Sequence, residues 1–232
     1  MKLLLFDIDG TMLVTRGTGR KAMERSIEQL IGCPVTTQGV DFSGRTDPQI
    51  MRDVLVLNGL TEQEAEAMLP RTLELFVEVF TETFTPENTR ELPGVRSLVE
   101  RLAERDDVQL ALLTGNLQPT AYIKIGGIGL ADFFPFGAFG SDHHDRYQLA
   151  PFALDRAEAH TSRRYAGKDI VIIGDTKHDI LCGRSLNVFS VAVCTGHHTR
   201  DTLVAHGPDL LLEDLTDADA FIEQVILAPA VS

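Results

Sequence analysis

The chain has 232 residues, 44% of them hydrophobic, and a formal net charge of −13 at pH 7. This composition is typical of a soluble globular protein with one large α/β domain, or with one domain that carries an insertion. The acidic balance and the lack of a basic run argue against nucleic acid as a partner, and no apolar stretch approaches the ~20 residues of a membrane span.

The cysteines and the first residues indicate the compartment. Cys33, Cys182 and Cys194 are widely spaced and form no CxxC pair, which predicts reduced thiols and a cytoplasmic protein. The apolar run near the start is cut short by Asp7 and Asp9, so it does not resemble a signal peptide.

The first predicted element is the apolar run Leu3 to Phe6, which suits a strand buried on both faces of a parallel sheet. Asp7 and Asp9 follow it, and Gly10 allows a sharp turn. Residues i and i+2 of a strand point to the same side, so both carboxylates could face one spot, where a cation would relieve their repulsion. For this stretch alone, a plain Asp-Gly turn is the alternative.

Residues 15–88 have helical periodicity and no strand signal. Helices are predicted over 20–31, 47–58 and 61–83. Asp47 is expected to cap the second helix, and the spacing of Thr61 and Glu64 predicts a capping box on the third. This block of helices predicts a cap domain over residues 15–88, inserted into a core domain formed by residues 1–14 and 89–232.

From residue 89 onward, predicted strands and helices alternate. Strands are predicted over 108–113, 136–139, 170–173 and 188–193, with an edge strand over 209–212. Helices are predicted over 95–104, 118–125, 151–160 and 218–227. Another helix is predicted after the strand 170–173, ending at about residue 186. The alternation predicts an α/β fold, a Rossmann-like three-layer core with a parallel sheet, to which the all-helical cap domain is added.

Three of the apolar strands end in polar residues. These are Asp7 and Asp9, then Thr114, Gly115 and Asn116, and then Asp175 and Asp179. Ligands of open α/β sheets bind beyond the carboxyl ends of the strands, so we expect the three groups to converge. Four carboxylates in one place require a divalent cation, and an all-oxygen set of ligands fits Mg²⁺.

The three segments resemble motifs of a known family. DIDGT at 7–11, LLTGN at 112–116 and GDTKHD at 174–179 are similar to the first, second and fourth motifs of the haloacid dehalogenase (HAD) superfamily, and they occur in the same order. The helical insertion lies where that family carries a helical cap. The resemblance spans nearly the whole chain and is strongest to phosphoglycolate phosphatase-like members.

The resemblance implies a role for each motif residue. Asp7 would be the nucleophile that forms an aspartyl-phosphate, and Asp9 the general acid and base. The phosphoryl oxygens would be bound by Thr114, Gly115 and Asn116. The Mg²⁺ site would consist of Asp7, the carbonyl of Asp9 and Asp175, with Asp179 in support.

The family's third motif supplies a lysine, and the corresponding region, residues 146–151, contains none. The five lysines of the chain are Lys2, Lys21, Lys124, Lys168 and Lys177. We expect Lys124 to supply the positive charge, because it lies on the helix that follows Thr114. Arg146 and Lys177 are the alternatives, and Lys124 could also lie on a solvated helix face.

The segment 44–47 resembles the substrate-facing part of related phosphatase caps. Arg45 could bind a substrate carboxylate through two parallel hydrogen bonds. A surface arginine beside a helix N-cap is an equally good interpretation.

The sequence therefore predicts a Mg²⁺-dependent phosphatase that hydrolyses a small phosphorylated metabolite, phosphoglycolate-like or a sugar phosphate. A phosphomutase of the same family and a non-catalytic Mg²⁺- or phosphate-binding regulator are alternatives. A dehalogenase would not need Asp9, and a phosphonate hydrolase would need a lysine in the cap, where Lys21 is the only one. No nucleic acid or membrane partner is expected, and the chain could be a monomer or a homodimer.

Overall fold

The computed structural model describes residues 1–227, and its strands form two sheets. The strands are β1 (Lys2–Phe6), β2 (Leu13–Val14), β3 (Arg90–Glu91), β4 (Val108–Leu113), β5 (Gly137–Ala138), β6 (Ile170–Gly174), β7 (Phe189–Val193) and β8 (Leu210–Leu212). The main sheet is parallel, with the order β5-β4-β1-β6-β7-β8, and β2 pairs with β3 in a separate antiparallel ladder.

Helices connect the strands. They are α1 (Thr18–Ile31), α2 (Asp47–Leu57), α3 (Glu62–Thr83), α4 (Val95–Ala103), α5 (Gln118–Gly127), α6 (Leu149–Thr161), α7 (Lys177–Ser185), α8 (Arg200–Ala205) and α9 (Ala218–Phe221). A π-helical turn, Ile222–Leu227, continues α9, and a 3₁₀ turn, Arg146–Gln148, precedes α6. Among the described residues, no helix combines the length and apolarity needed to cross a bilayer.

Strand β1 lies at the centre of the sheet and is covered on both faces. Leu4 and Phe6 belong to one apolar cluster, and Leu3 and Leu5 belong to another. In register, Leu4 pairs with Leu110 of β4 on one side and with β6 on the other. Burial of both faces explains the continuous apolar run in the sequence. The predicted α/β fold with a parallel sheet is confirmed.

The helical insertion, α1 to α3, has an apolar core of its own. Ile27 of α1, Val54 of α2 and Phe76 and Phe80 of α3 are buried in one cluster. This cluster is separate from the two that cover the sheet. The insertion therefore packs mainly within itself.

The sequence predicted the N-terminal cap of α3 correctly but not that of α2. The capping box of Thr61 and Glu64 is confirmed. The prediction that Asp47 caps α2 is wrong: Thr46 is the N-cap and accepts a hydrogen bond from Gln49 N. Asp47 is the first helical residue, and its carboxylate instead accepts a hydrogen bond from the backbone N–H of Leu117, which immediately precedes α5.

Candidate active site

The polar ends of β1, β4 and β6 lie together at the carboxyl edge of the sheet. They line one cavity of about 490 Å³, which is also lined by side chains of the helical insertion. Asp7, Asp9, Thr114, Gly115, Asn116, Lys124, Arg45 and Asp175 are all among the lining residues. The structure thus brings together the residues that sequence reasoning selected; Asp179 does not line the cavity but lies beside Asp7 and Asp175.

Asp7, Asp175 and Asp179 form a buried cluster of carboxylates. One oxygen from each lies within 4.8 Å of the others. Burial raises the pKa of both Asp7 and Asp175, and repulsion between the carboxylates acts in the same direction. Carboxylates with raised pKa values and only oxygen donors fit a hard divalent cation, which would restore their ionised form.

The backbone around Asp175 leaves room only for glycine. A Cβ atom on Gly196 would lie 1.6 Å from Oδ2 of Asp175, and one on Gly10 would lie 2.5 Å from the same oxygen. Gly10 also has a φ of +83°, in the left-handed region. Thr11 donates a hydrogen bond of 3.2 Å to Oδ1 of Asp175. The turn after β1 therefore packs directly against the carboxylate of Asp175.

Arg146 is a buried cation inside the carboxylate cluster. Its Nη2 lies 3.4 Å from Oδ1 of Asp7 and donates a hydrogen bond to Oδ1 of Asp179. Burial alone would lower the pKa of the guanidinium, but Asp179 and Asp7 outweigh it and raise the pKa. Its buried Nε has no hydrogen-bond partner among the described residues. A donor that is buried without an acceptor is costly, and the guanidinium is held here by its contacts with Asp7 and Asp179.

Lys124 contacts the second aspartate of the first motif. Its Nζ lies 2.9 and 2.7 Å from the two carboxylate oxygens of Asp9 and 2.6 Å from Oδ1 of Asn116. The amide of Asn116 in turn donates to Asp9 and to Thr114 Oγ1, at 2.8 and 2.7 Å. These contacts hold the carboxylate of Asp9 from two sides.

Two cations thus contact the carboxylates of the first motif. Lys124 is buried at the site, as its place on α5 predicts, but its partner is Asp9. Arg146, which the sequence offered only as an alternative, lies beside Asp7. Lys177 is not among the residues that line the cavity.

Asp47 is a site residue that sequence reasoning missed. Its backbone N–H donates to Gly115 O at 2.8 Å, and its carboxylate accepts from Leu117 N at 2.9 Å. Burial raises the pKa of Asp47 to about 6, although the nearby cation of Lys124 opposes this. Asp47 therefore joins the start of α2 to the loop after β4.

Arg45 lines the cavity, but its guanidinium is already paired. Nη2 lies 2.8 Å from Oδ2 of Asp53, and Nη1 donates to Asp41 O at 3.3 Å. The backbone of Arg45 approaches the second motif so closely that a Cβ atom on Gly115 would lie 2.1 Å from Arg45 O. The insertion and the second motif are in direct contact here.

Comparison with known proteins identifies the family. The family described as haloacid dehalogenase-like hydrolase matches residues 4–193. The chain belongs to this family. It is 23% identical to pyrophosphatase PpaX of Oceanobacillus iheyensis, over 94% of each chain. It is 25% identical to a phosphoglycolate phosphatase of Pseudomonas syringae pv. tomato, over 92% of this chain and 77% of that one.

The fold of this haloacid dehalogenase-like hydrolase is also found in solved structures. The crystal structure of a beta-phosphoglucomutase from Clostridium difficile superimposes with a TM-score of 0.71. The alignment covers 97% of this chain and 96% of that one, at 17% identity. The predictions of the family, of its α/β fold and of an enzyme of the hydrolase class are confirmed.

Proposed function

We propose that this chain is a Mg²⁺-dependent phosphatase that acts through an aspartyl-phosphate on Asp7. The observation that carries the proposal is the surroundings of Asp7: a buried carboxylate with Arg146 at 3.4 Å and two further carboxylates within 4.8 Å. Phosphoryl transfer requires mainly positioning and stabilisation of negative charge. A cation and an arginine beside one nucleophilic carboxylate supply both.

The reaction uses the two aspartates of the first motif in turn. A carboxylate oxygen of Asp7 attacks phosphorus, the ester P–O bond breaks, and Asp9 donates a proton to the leaving oxygen. Asp9 then accepts a proton from water, whose oxygen attacks phosphorus and releases phosphate from Asp7. The contacts of Asp9 with Lys124 and Asn116 hold its carboxylate in place for both steps.

The phosphoryl group would be bound by donors of the second motif and by Arg146. Thr114, Gly115 and Asn116 line the cavity at the end of β4, as does Arg146, and the N–H of Asn116 already donates to Thr114 Oγ1. Asp7, Asp175 and the carbonyl of Asp9 would hold Mg²⁺, with Asp179 in support. When bound, the ion supplies positive charge for the phosphoryl oxygens.

Residues 15–88 would act as a cap domain on a core of residues 1–14 and 89–232. The contacts of Asp47 and Arg45 with the loop around Gly115 support this division, since they close the insertion over the cavity. Closure excludes water and positions the leaving group. Arg45 would take part in substrate binding if it exchanged Asp53 for a substrate carboxylate.

The substrate would be a small phosphorylated metabolite, phosphoglycolate-like or a sugar phosphate. The names of the relatives, a pyrophosphatase and phosphoglycolate phosphatases, support a phosphatase. The structural likeness to a beta-phosphoglucomutase keeps a phosphomutase as the second candidate. The two differ in whether water or a substrate hydroxyl takes the phosphoryl group from Asp7. A non-catalytic Mg²⁺- or phosphate-binding regulator is the third candidate.

The cysteines bear on where in the cell the enzyme is found. Cys33, Cys182 and Cys194 are all free thiols, which supports a cytoplasmic location. We expect a monomer or a homodimer, and neither nucleic acid nor membrane as a partner.

Phosphate release from a panel of phosphorylated metabolites, with and without Mg²⁺, tests the proposal. Release that requires Mg²⁺ and is lost in Asp7→Asn would support it. No release from any substrate despite Mg²⁺ binding would favour the mutase or the non-catalytic regulator.

A further inference from the structure

Besides Arg146, four arginines outside the three motifs line the same cavity as Asp7. They are Arg16, Arg20, Arg45 and Arg90. The acidic lining residues are confined to the motifs and the start of α2: Asp7, Asp9, Asp47 and Asp175. In a protein with a net charge of −13, a wall of four arginines is opposite in sign to the molecule as a whole. Such a local charge favours an anionic ligand.

Two of the four arginines already have partners. Arg45 pairs with Asp53. Arg20 lies over the ring of Phe42, with Cζ 4.2 Å from the ring centroid, and donates a hydrogen bond of 3.4 Å to Thr37 Oγ1. Their charges are therefore engaged within the helical insertion.

Arg16 and Arg90 differ from the other two. Both line the cavity and are exposed to solvent, and neither has a side-chain hydrogen bond or an ion pair with any of residues 1–227. A guanidinium in a cavity wall with no protein partner has its donors available for a ligand carboxylate or phosphate.

The two residues lie on the two connections between the sheet and the insertion. Arg90 of β3 pairs directly with Val14 of β2, and Arg16 follows Val14 by two residues. Arg16 has a φ of +49°, a left-handed conformation that is uncommon for a residue with a side chain. Backbone strain of this kind persists at functional sites, where surrounding structure imposes it.

We propose that Arg16 and Arg90 form a second anion-binding subsite. The inference rests on the proposed phosphatase function and specifies its substrate: a phosphate monoester whose leaving group carries a second anionic group, a phosphate or a carboxylate. The cavity, about 490 Å³, is much larger than one phosphate group requires. Met23, Ile50 and Phe76 also line it, so the part of the substrate that joins its two anions is mainly apolar.

A matched pair of probes tests the subsite without turnover. Hexyl phosphate and hexanediol bisphosphate differ only in the second phosphate, and their binding to the Asp7→Asn protein with Mg²⁺ can be measured by calorimetry. We expect the bisphosphate to bind at least about tenfold more tightly, since charge-assisted bonds to arginine are strong.

Substitution of the two arginines provides the decisive comparison. In the Asp7→Asn background, Arg16→Gln or Arg90→Gln is expected to reduce the affinity ratio of the two probes by about tenfold. Arg16→Lys and Arg90→Lys should keep part of the ratio, because they keep the charge. Arg105→Gln is the control and should keep all of it, since Arg105 pairs with Asp107 before β4, at the opposite edge of the sheet.

Two results would overturn the inference: equal affinity for both probes, or a ratio that neither Gln variant changes. Failure of the phosphatase proposal looks different. In that case the wild-type protein would release no phosphate from either probe, while the affinity ratio and its loss in the Gln variants would still show a subsite for the second anion.

Discussion

Arg146 lies beside Asp7, with its Nη2 atom 3.4 Å from Oδ1 of the carboxylate, and Lys124 lies instead against Asp9. The two aspartates of one motif therefore have different cationic partners. Arg146 is buried among the groups expected to bind the phosphoryl group and the metal. Lys124 contacts the residue expected to handle protons. This division leads to separate predictions for the two cations.

Arg146→Gln should lower kcat by about 10²–10³, a loss comparable to removal of one donor that stabilises transition-state charge. Arg146→Lys should retain part of the activity, because a lysine keeps the charge but not the planar guanidinium whose Nη2 contacts both Asp7 and Asp179. Steady-state kinetics on the best substrate of the panel measures this. Activity near the wild-type level in Arg146→Gln would contradict it, and Arg105→Gln controls for loss of an arginine elsewhere.

Lys124→Met should affect proton transfer more than phosphoryl binding. We expect kcat for an alkyl phosphate to fall by about tenfold to a hundredfold, since Asp9 loses the partner that holds it. The rate with para-nitrophenyl phosphate should fall much less, because its leaving group needs little protonation. Equal losses on both substrates would show that Lys124 acts on the phosphoryl group instead.

Asp47→Asn should change how stability depends on pH. Burial raises the pKa of Asp47 from 3.8 to about 6 in the folded protein. The folded state therefore binds more protons than the unfolded chain between these values, and stability falls as pH rises through that window. At pH values above the folded pKa, the loss of stability reaches its full size of about 3 kcal/mol, at about 1.36 kcal/mol per pKa unit.

The amide of asparagine can still accept the hydrogen bond from Leu117 N and does not titrate in this range. The free energy of unfolding of Asp47→Asn should therefore equal that of the wild type near pH 4 and exceed it near pH 7. Denaturant unfolding of both proteins without metal measures the difference. A constant difference across this range would show that Asp47 does not titrate as expected.

Mg²⁺ should stabilise the folded protein through the carboxylate cluster. At a concentration about a hundredfold above Kd, the free energy of unfolding should rise by about 2.7 kcal/mol. Asp175→Asn should abolish this response, and without metal it should be at least as stable as the wild type, since repulsion from Asp7 and Asp179 is relieved. A full Mg²⁺ response in the variant would place the ion elsewhere.

The sequence predicted most of the core because its signals there are local. Strand β4 has the predicted bounds, Val108–Leu113, since an apolar run between polar turns defines it. The convergence of Asp7, Thr114 and Asp175 follows from the parallel topology alone. Strands β2 and β3 were missed because two residues each carry no periodicity.

The contacts of individual side chains could not be read from the sequence. Asp47 looked like a helix cap, and only the packing of α2 against the loop after β4 shows its bond to Leu117. Arg146 lies in a 3₁₀ turn far along the chain from Asp7, and its burial depends on how that turn is placed. Contacts between side chains so far apart in the sequence are set by tertiary structure, and the helix and strand patterns of a sequence carry no information about them.

The most direct test of the account is chemical trapping of the intermediate on Asp7. Enzyme quenched during turnover can be reduced with borohydride, which converts an acyl phosphate to an alcohol, and the peptide that contains Asp7 can be sequenced by mass spectrometry. We predict homoserine at position 7 in the wild type when substrate and Mg²⁺ are present, and unmodified protein when either is left out. Phosphate release without any modification of Asp7, or modification of another carboxylate, would contradict the proposed mechanism.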